Sequence, residues 1–345
     1  MSERMRDIQV MGPRCSGTNV VDSMARKNFL HVRVLKTDDA EGTDNYGWKH
    51  MPPGQEFRVY VDGHWVKEDG LANYASLVGD KKNLIPRQRI PMRDPRYAGV
   101  DEAGDPYIKN NVMQPNDDDL AHTLFIVVER NPLDWLRSIH EQPHHALDLF
   151  DIRDREGLPF ERFIQEPWRT WEGTAYMEDP DPVDKGKREK WKKKRVVEDQ
   201  ASIFVHRSES LTLFEQLQEE VPNVVFVHHE AVDRNPEQVM RQIAAAYGIE
   251  RDEQFRGIST YKGQGQRPFV QKTYDPFSQG NLKNVIENID WTVESRTGFT
   301  VPKEVQGRTE YAEGVLRNPS TLVVFDSSKQ LRMYRDGELV GVDSD

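Results

Sequence analysis

Residues 7–19 read DIQVMGPRCSGTN and decide the fold class, because a short apolar segment passes directly into a glycine-containing loop. Asp7 to Met11 is predicted as a buried strand, and Val20 to Phe29 has the amphipathic pattern of a helix. Backbone N–H groups at such a strand-to-helix junction lack partners, and the helix dipole makes them attractive to anions. We therefore expect the loop from Gly12 to Asn19 to bind a phosphate-like group.

The loop resembles a Walker A loop in its glycine spacing but lacks the residues that handle Mg·NTP. Gly12 and Gly17 have the spacing of the two Walker glycines, which Lys and then Ser or Thr would follow. Thr18 and Asn19 stand there instead, and the cation is Arg14, inside the loop. The pattern favours an anion bound by arginine, hydroxyl and backbone N–H groups without a metal.

Two other interpretations of the loop stay open from the residues alone. Cys15 would be the nucleophile of a cysteine phosphatase, but that chemistry needs Arg six residues later, where Val21 stands. A turn without a ligand is the other alternative. The residues expected to contact a bound anion are Arg14, Cys15, Ser16, Gly17, Thr18 and Asn19.

A second buried strand is predicted at Leu124 to Val128, which is continuous, β-branched and aromatic. A helix follows, with Asn131 as N-cap, Pro132 at the first helical position and Asp134 as an acid in the first turn. Further strands are predicted at 31–35 and 223–227, and further helices at 187–220, 236–247 (ended by Gly248) and 282–289.

Alternating strands and helices predict an α/β fold, with a three-layer arrangement of a parallel sheet and helices on both faces. We expect this domain to span residues 1–300, with long insertions at about 52–120 and 143–190. Residues 301–345 are expected to form a C-terminal extension, a small β appendage with a hairpin at Asp336-Gly337.

Composition narrows the class of partner. The 345 residues carry a net charge of −11, which makes nucleic acid an unlikely main partner. A single cysteine, Cys15, precludes an intrachain disulfide, and no signal-peptide-like or membrane-spanning apolar run is present. We expect a cytoplasmic protein that does not contact a membrane.

Two motifs together resemble the sulfotransferase superfamily that uses 3′-phosphoadenosine 5′-phosphosulfate (PAPS). GPRCSGTN is similar to the 5′-phosphosulfate loop, and VVERNPLDWLRSIH is similar to the 3′-phosphate motif, with Arg130 at a strand end and Ser138 eight residues later. The motifs lie about 115 residues apart and in the family's order. Residues 223–249 and 289–299 are similar to its late strand–Glu–helix segment and closing helix.

The resemblance implies a P-loop NTPase-like sulfotransferase fold and metal-independent transfer of a sulfuryl group from PAPS. The acceptor would be a hydroxyl or amine, on a carbohydrate or a small molecule that the sequence does not identify. Arg130 and Ser138 would bind the 3′-phosphate, with Lys262 and Gly263 as further contacts. Arg14 would stabilise charge on the leaving phosphate.

The segment YGWKH, residues 46–50, resembles bacterial members of the family and supplies the remaining catalytic candidates. His50 would be the general base, since its ordinary pKa suits proton removal near neutrality, and Lys49 would contact the sulfate. Many cytosolic members separate Lys and His by one residue. Here they are adjacent, and adjacent residues on a strand face opposite sides, so we expect the two to have different environments.

Other departures from the family keep alternatives open. Asn19 and Val20 stand where the family has an adenine-stacking Trp, and Tyr261 replaces an Arg before Lys262. The runner-up function is a Mg-NTP-dependent, kinase-like phosphotransferase on a related P-loop scaffold. A third is a non-catalytic nucleotide- or glycan-binding protein. A metal site at His140, His144 and His145 is not expected, and the basic run from 185 to 195 is predicted to start a solvated helix.

Overall fold

The computed structural model describes residues 5–35, 49–50, 59–61, 64–66, 117–143, 146–171, 196–219, 221–259, 274–275, 277–299, 321–325, 331–335 and 338–342. In this part of the chain the strands are β1 Asp7–Met11, β2 Arg33–Val34, β3 Val59–Val61, β4 His64–Val66, β5 Thr123–Glu129, β6 Trp168–Trp171, β7 Val196–Gln200, β8 Val224–His228, β9 Thr321–Phe325, β10 Leu331–Arg335 and β11 Glu338–Val342. The helices are α1 Thr18–Asn28, α2 Asp117–Ala121, α3 Pro132–Glu141, α4 Leu147–Glu156, α5 Phe160–Phe163, α6 Ile203–Gln216, α7 His229–Arg234, α8 Pro236–Tyr247, α9 Gln279–Asn288 and α10 Trp291–Arg296.

The main sheet runs in the spatial order β11-β10-β9-β8-β5-β1-β2 through the described strands. Strands β2, β1, β5 and β8 pair in parallel, whereas β9, β10 and β11 are joined by antiparallel pairing. The predicted α/β class is therefore confirmed, with four parallel strands in one sheet. From β1 the chain passes first to β2 on one side and later to β5 on the other. The strand order thus reverses between β1 and β5, the point where open α/β sheets bind ligands.

Helices pack against both faces of the parallel strands, as the alternation of side chains along each strand requires. On β8, Val225 and Val227 face a core that includes residues of α1 and α8. Val224 and Phe226 face the opposite core, which includes Phe214 of α6. Each parallel strand near the centre is thus apolar on both sides, which explains its continuous hydrophobic sequence.

Several predicted elements are confirmed by local features. The Asn131 side chain caps α3 by accepting a hydrogen bond from the Leu133 N–H at 2.9 Å, and Pro132 is the first helical residue. Helix α8 ends at Gly248, whose φ of 61° is left-handed. Other boundaries differ by two or three residues: α1 begins at Thr18, α9 begins at Gln279, and only Arg33–Val34 of the predicted second strand pairs.

The prediction of one long helix over residues 187–220 is confirmed from Ile203 onward and wrong at residues 196–200. Residues 196–200 form β7, which pairs antiparallel with β6, and α6 begins only at Ile203. The Ser202 hydroxyl caps α6 by accepting a hydrogen bond from the Val205 N–H at 3.3 Å. A strand partner distant in sequence has overridden the helical pattern of charges.

The C-terminal strands and the second insertion both join the body of the fold. Strand β9 pairs with β8, so the β10–β11 hairpin, which flanks Asp336-Gly337, continues the main sheet instead of standing apart as an appendage. Helices α4 and α5 and strand β6 lie within the insertion at 143–190. They pack with α3 and α9 around Trp135, Phe163 and Trp168. Among the described helices, none is long and apolar enough to cross a membrane.

Candidate functional site

Three neighbouring parallel strands end at one edge of the sheet and bring the candidate residues together. Strand β1 ends at the loop of residues 12–19, here called the phosphate loop. Strand β5 ends at Glu129, before Arg130, and β8 ends at His228, before His229. The backbone N–H of Asn131 donates to Glu230 Oε1 at 2.8 Å, which ties the ends of β5 and β8 together.

Two glycines let the phosphate loop pack closely against its neighbours. A Cβ on Gly17 would lie 1.9 Å from His229 Cδ2, and its φ of +93° is left-handed. A Cβ on Gly12 would lie 2.2 Å from the Val128 carbonyl oxygen. Helix α1 then begins without a side-chain cap, and a helix start of this kind is a place where backbone N–H groups can bind an anion.

Both predicted arginines meet at the phosphate loop. Arg14 and Arg130 are buried, with relative exposures of 3% and 8%. Arg130 Nη1 donates to the Cys15 carbonyl at 3.4 Å, and the indole N–H of Trp135 donates to the Arg14 carbonyl at 2.5 Å. The end of β5 and the first turns of α3 therefore hold the backbone of the loop. Trp135 was not predicted as a site residue.

Ser138 lies on the face of α3 that runs along the phosphate loop. Trp135, three residues earlier, contacts the Arg14 carbonyl. The carbonyl of Gln142, four residues later, lies 3.9 Å from Cys15 Sγ. Along α3, Ser138 thus lies between these two contacts, and its part in binding a 3′-phosphate stays a prediction.

Lys49 and His50 form a turn against the start of the phosphate loop. The Gly12 N–H donates to the Lys49 carbonyl at 2.8 Å, and His50 Nδ1 lies 3.0 Å from the Gly12 carbonyl oxygen. The buried Lys49 ammonium donates to Asn19 Oδ1 at 2.8 Å. The expected strand geometry, with the two side chains on opposite sides, is thus replaced by a turn in which both contact the loop.

Charged groups around Arg130 shift the pKa of their neighbours. Burial alone would lower the pKa of Arg130, but the charges of Tyr274, Asp134 and Glu230 raise it above its ordinary value. Burial raises the pKa of Asp134 to about 6, although the Arg130 charge opposes that rise. The guanidinium of Arg130 also lies 5.3 Å from the centre of the Tyr274 ring.

Some buried donors at this edge have no hydrogen-bond partner within the described part of the chain. They include Ser16 Oγ, Arg130 Nε and Tyr274 Oη. A buried polar group without a partner costs about 1–3 kcal/mol. An anion bound beside the phosphate loop would supply acceptors, so these donors fit a site built for a negatively charged ligand.

His229, like Trp135, lies at this edge without having been predicted as a site residue. Its ring covers Gly17, and its Nδ1 lies 3.0 Å from Asp233 Oδ2, one turn later on α7. The available signal was positional, because His229 directly follows the apolar strand β8. Lys262 and Gly263, predicted to contact the 3′-phosphate, lie outside the described residues, as does the basic run at 185–195.

Of the three histidines that were not expected to bind a metal, only His140 lies within the described residues, and it has a structural role. His140 Nε2 lies 2.6 Å from the Leu158 carbonyl oxygen, and its ring packs on Phe160 and Phe163. His144 and His145 lie outside the described residues. Within the residues that the structure does describe, no group of three or more His, Cys, Asp or Glu side chains is placed to hold a metal ion.

Comparisons with protein-family models, with curated proteins and with solved structures found no match to this chain.

Proposed function

We propose that this protein is a PAPS-dependent sulfotransferase with a P-loop-like sulfotransferase fold, acting on an acceptor hydroxyl or amine. The observation that carries the proposal is the meeting of Arg14 and Arg130 at one loop. Arg130 Nη1 lies 3.4 Å from the Cys15 carbonyl, at the carboxyl edge where the strand order reverses. Two cationic positions at such an edge suit a nucleotide that carries anionic groups at both its 3′ and 5′ positions.

The cations fit a compact, highly charged ligand. Arg14 and the first turn of α1 would bind the 5′-phosphosulfate, and Arg130 with Ser138 would bind the 3′-phosphate. Lys49, whose ammonium reaches Asn19, adds a third cation from outside the loop. These cations are largely buried, so their attraction for a phosphate is screened less than that of surface charges.

Sulfuryl transfer needs charge stabilisation on the leaving phosphate oxygen and a base for the acceptor. By analogy with phosphoryl transfer, the transition state is loose, and positioning supplies most of the catalysis. The acceptor oxygen or nitrogen forms a bond to sulfur, the bond from sulfur to the bridging oxygen breaks, and that oxygen keeps the electron pair. Arg14, Lys49 and the N–H groups of the loop would stabilise the resulting phosphate charge.

His50 is suited to accept the acceptor's proton. The Gly12 carbonyl oxygen can only accept a hydrogen bond, so the 3.0 Å contact places the ring proton on Nδ1. In the neutral ring Nε2 is then the basic nitrogen, which is the atom that would remove the acceptor's proton. The geometry therefore favours the tautomer that a general base needs.

A kinase-like phosphotransferase is the second candidate, and one observation favours it. Lys49 brings an ammonium to Asn19, close to where the lysine of a Walker A loop would act. Ligand preference separates the two functions. A sulfotransferase binds 3′,5′-ADP without metal, whereas a kinase binds ATP with Mg²⁺.

Thermal unfolding with 3′,5′-ADP, 5′-AMP and Mg·ATP tests the proposal. A ligand at about 100 times its Kd stabilises a protein by about 2.7 kcal/mol. We expect the largest rise in Tm with 3′,5′-ADP in EDTA, and loss of that rise in Arg130→Ala. Arg241→Ala is the matched control, because Arg241 is exposed and pairs with Glu237 on its own helix. Equal shifts with all three ligands contradict the proposal.

Turnover separates the enzyme from a binding protein that has no catalytic activity. Transfer of labelled sulfate from PAPS to a panel of carbohydrate and small-molecule acceptors is measured for the wild type and for His50→Ala. We expect the variant to lose most activity while still binding 3′,5′-ADP. His122→Asn is the control, since His122 precedes β5 at the opposite edge of the sheet. Wild-type activity in His50→Ala contradicts its role as the base.

A further inference from the structure

A buried ion pair lies directly behind the two anion-binding arginines. Arg207 of α6 and Glu294 of α10 are each 2% exposed. Arg207 Nη2 donates to Glu294 Oε2 at 2.7 Å, and Arg207 Nε donates to Glu294 Oε1. The pair is bidentate, which fixes the plane and direction of the guanidinium.

The Arg207 guanidinium contacts the supports of both anion sites. Its Nη2 also donates to the Arg130 carbonyl oxygen at 2.8 Å. Its central carbon lies 4.8 Å from the centre of the Trp135 ring, and the Trp135 N–H donates to the Arg14 carbonyl. One side chain thus touches the backbone of Arg130 directly and the backbone of Arg14 through a single residue.

Stability alone does not account for such a pair. Removing two charges from water is costly, and well-packed apolar residues in the same place are often at least as stabilising. A nearby contrast is the pair of Arg296 and Glu215, which joins the same two helices with Arg296 half exposed. Neither of those residues has a described hydrogen bond to the phosphate loop or to Arg130. The pair of Arg207 and Glu294 therefore differs from the pair of Arg296 and Glu215 in that it contacts Arg130 and Trp135.

We infer that Arg207, oriented by Glu294, is a positioning residue that sets the separation of the Arg14 and Arg130 sites. This inference rests on the proposed function, because the separation matters for a ligand with anionic groups at both ends of one nucleoside. When the separation is fixed, a bisphosphate nucleotide gains binding energy from both sites at once. A ligand with one phosphate gains it from only one site. Arg207 is therefore a determinant of the preference for bisphosphate nucleotides.

Calorimetric Kd values for 3′,5′-ADP, 3′-AMP and 5′-AMP test the inference. The measured quantity is the preference, the Kd of each monophosphate divided by the Kd of 3′,5′-ADP. In Arg207→Lys we expect the preference to fall by about tenfold, while each monophosphate Kd changes by less than about threefold. A lysine ammonium lacks the planar guanidinium that contacts Glu294, the Arg130 carbonyl and the Trp135 ring at the same time. Arg296→Lys is the matched control and keeps the wild-type preference.

Trp135→Phe keeps the test decisive if Arg207→Lys fails to fold. Phenylalanine retains a ring beside Arg207 but has no N–H for the Arg14 carbonyl. We expect the Kd of 5′-AMP to rise more than that of 3′-AMP, and the preference to fall by about threefold.

Each remaining outcome has a definite meaning. If the wild type prefers 3′,5′-ADP and the folded variants keep that preference, or weaken all three ligands equally, the positioning role is refuted and the proposed function stands. If the wild type has no preference for 3′,5′-ADP, both are refuted.

Discussion

Replacing Asp134 with asparagine should make the protein more stable at neutral pH, because the wild-type carboxyl is ionised there in an unfavourable place. Asp134 lies in the first turn of α3. Burial raises its pKa from 3.8 to about 6; the Arg130 and His229 charges oppose this rise, and those of Glu230 and Asp233 add to it. The folded protein thus binds this proton more tightly than the unfolded chain does.

The sign and size of the effect follow from that difference. Between pH 3.8 and about 6 the folded state holds more of the proton, so the free energy of unfolding falls as pH rises. The full penalty above pH 7 is about 3 kcal/mol, at about 1.4 kcal/mol for each tenfold change in proton affinity. A carboxylate at a helix N-terminus is itself worth about 0.3–1 kcal/mol. We therefore expect Asp134→Asn to gain about 2 kcal/mol at pH 7.5 and nothing near pH 4.

Urea unfolding followed by circular dichroism at pH 4.5, 6 and 7.5 measures the gain. Glu237→Gln is the control, since Glu237 occupies the first turn of α8 and its side chain is only partly buried. Phosphate bound at Arg130 would raise the pKa of Asp134 further, so 3′,5′-ADP affinity should fall from pH 6 to pH 8 in the wild type and change less in Asp134→Asn. A variant that is equally stabilised at every pH, or stabilised at none, refutes the reasoning.

Three other changes have defined expectations. Gly17→Ala should abolish 3′,5′-ADP binding and cost at least about 1–3 kcal/mol in urea unfolding, since the added Cβ would lie 1.9 Å from His229 Cδ2; Gly280→Ala, with nothing within 4 Å, should be neutral or slightly stabilising. Lys49→Met should raise the Kd of 3′,5′-ADP at least about tenfold and reduce its dependence on salt, as measured by calorimetry at two ionic strengths. Ser202→Ala removes the cap of α6 and should lower the free energy of unfolding by about 1 kcal/mol.

Elements whose signals are local were predictable from the sequence. Strand β5 is buried on both faces, so its five central residues are all apolar and need no knowledge of their partners. Helix α3 carries its own cap and its own first-turn proline. The switch from strand to helix at these points is encoded within a few residues, which is why the α/β class could be predicted from the sequence.

Elements that depend on distant partners were not predictable. Residues 196–200 have charged neighbours typical of a solvated helix, yet they pair with Trp168–Trp171 from the preceding insertion. Only that pairing makes a strand of them. Likewise, nothing near Thr321–Phe325 indicates that β9 pairs with β8 and extends the parallel sheet.

The site divides in the same way. Arg14 and Arg130 follow apolar strands in motifs that can be recognised by spacing. The residues that hold these arginines in place cannot be recognised in this way. Trp135 looks like a core residue in the sequence, and only the structure shows that its N–H donates to the Arg14 carbonyl. Arg207 lies in the middle of a helix with no motif around it. Residues that position others are chosen by three-dimensional neighbours, which a single sequence does not contain.

Net charge is a weak guide to a site of this kind. A charge of −11 argues against an extended polyanion, because such a ligand is bound by many exposed cations acting together. A compact anion is bound instead by a few cations whose surroundings exclude water, and there the effective dielectric constant is lower and each charge counts for more. Arg14, Lys49 and Arg130 are all buried at the same edge of the sheet. Exposed acids more than about 10 Å away are largely screened by salt, so the net charge of the chain says little about the field at the phosphate loop.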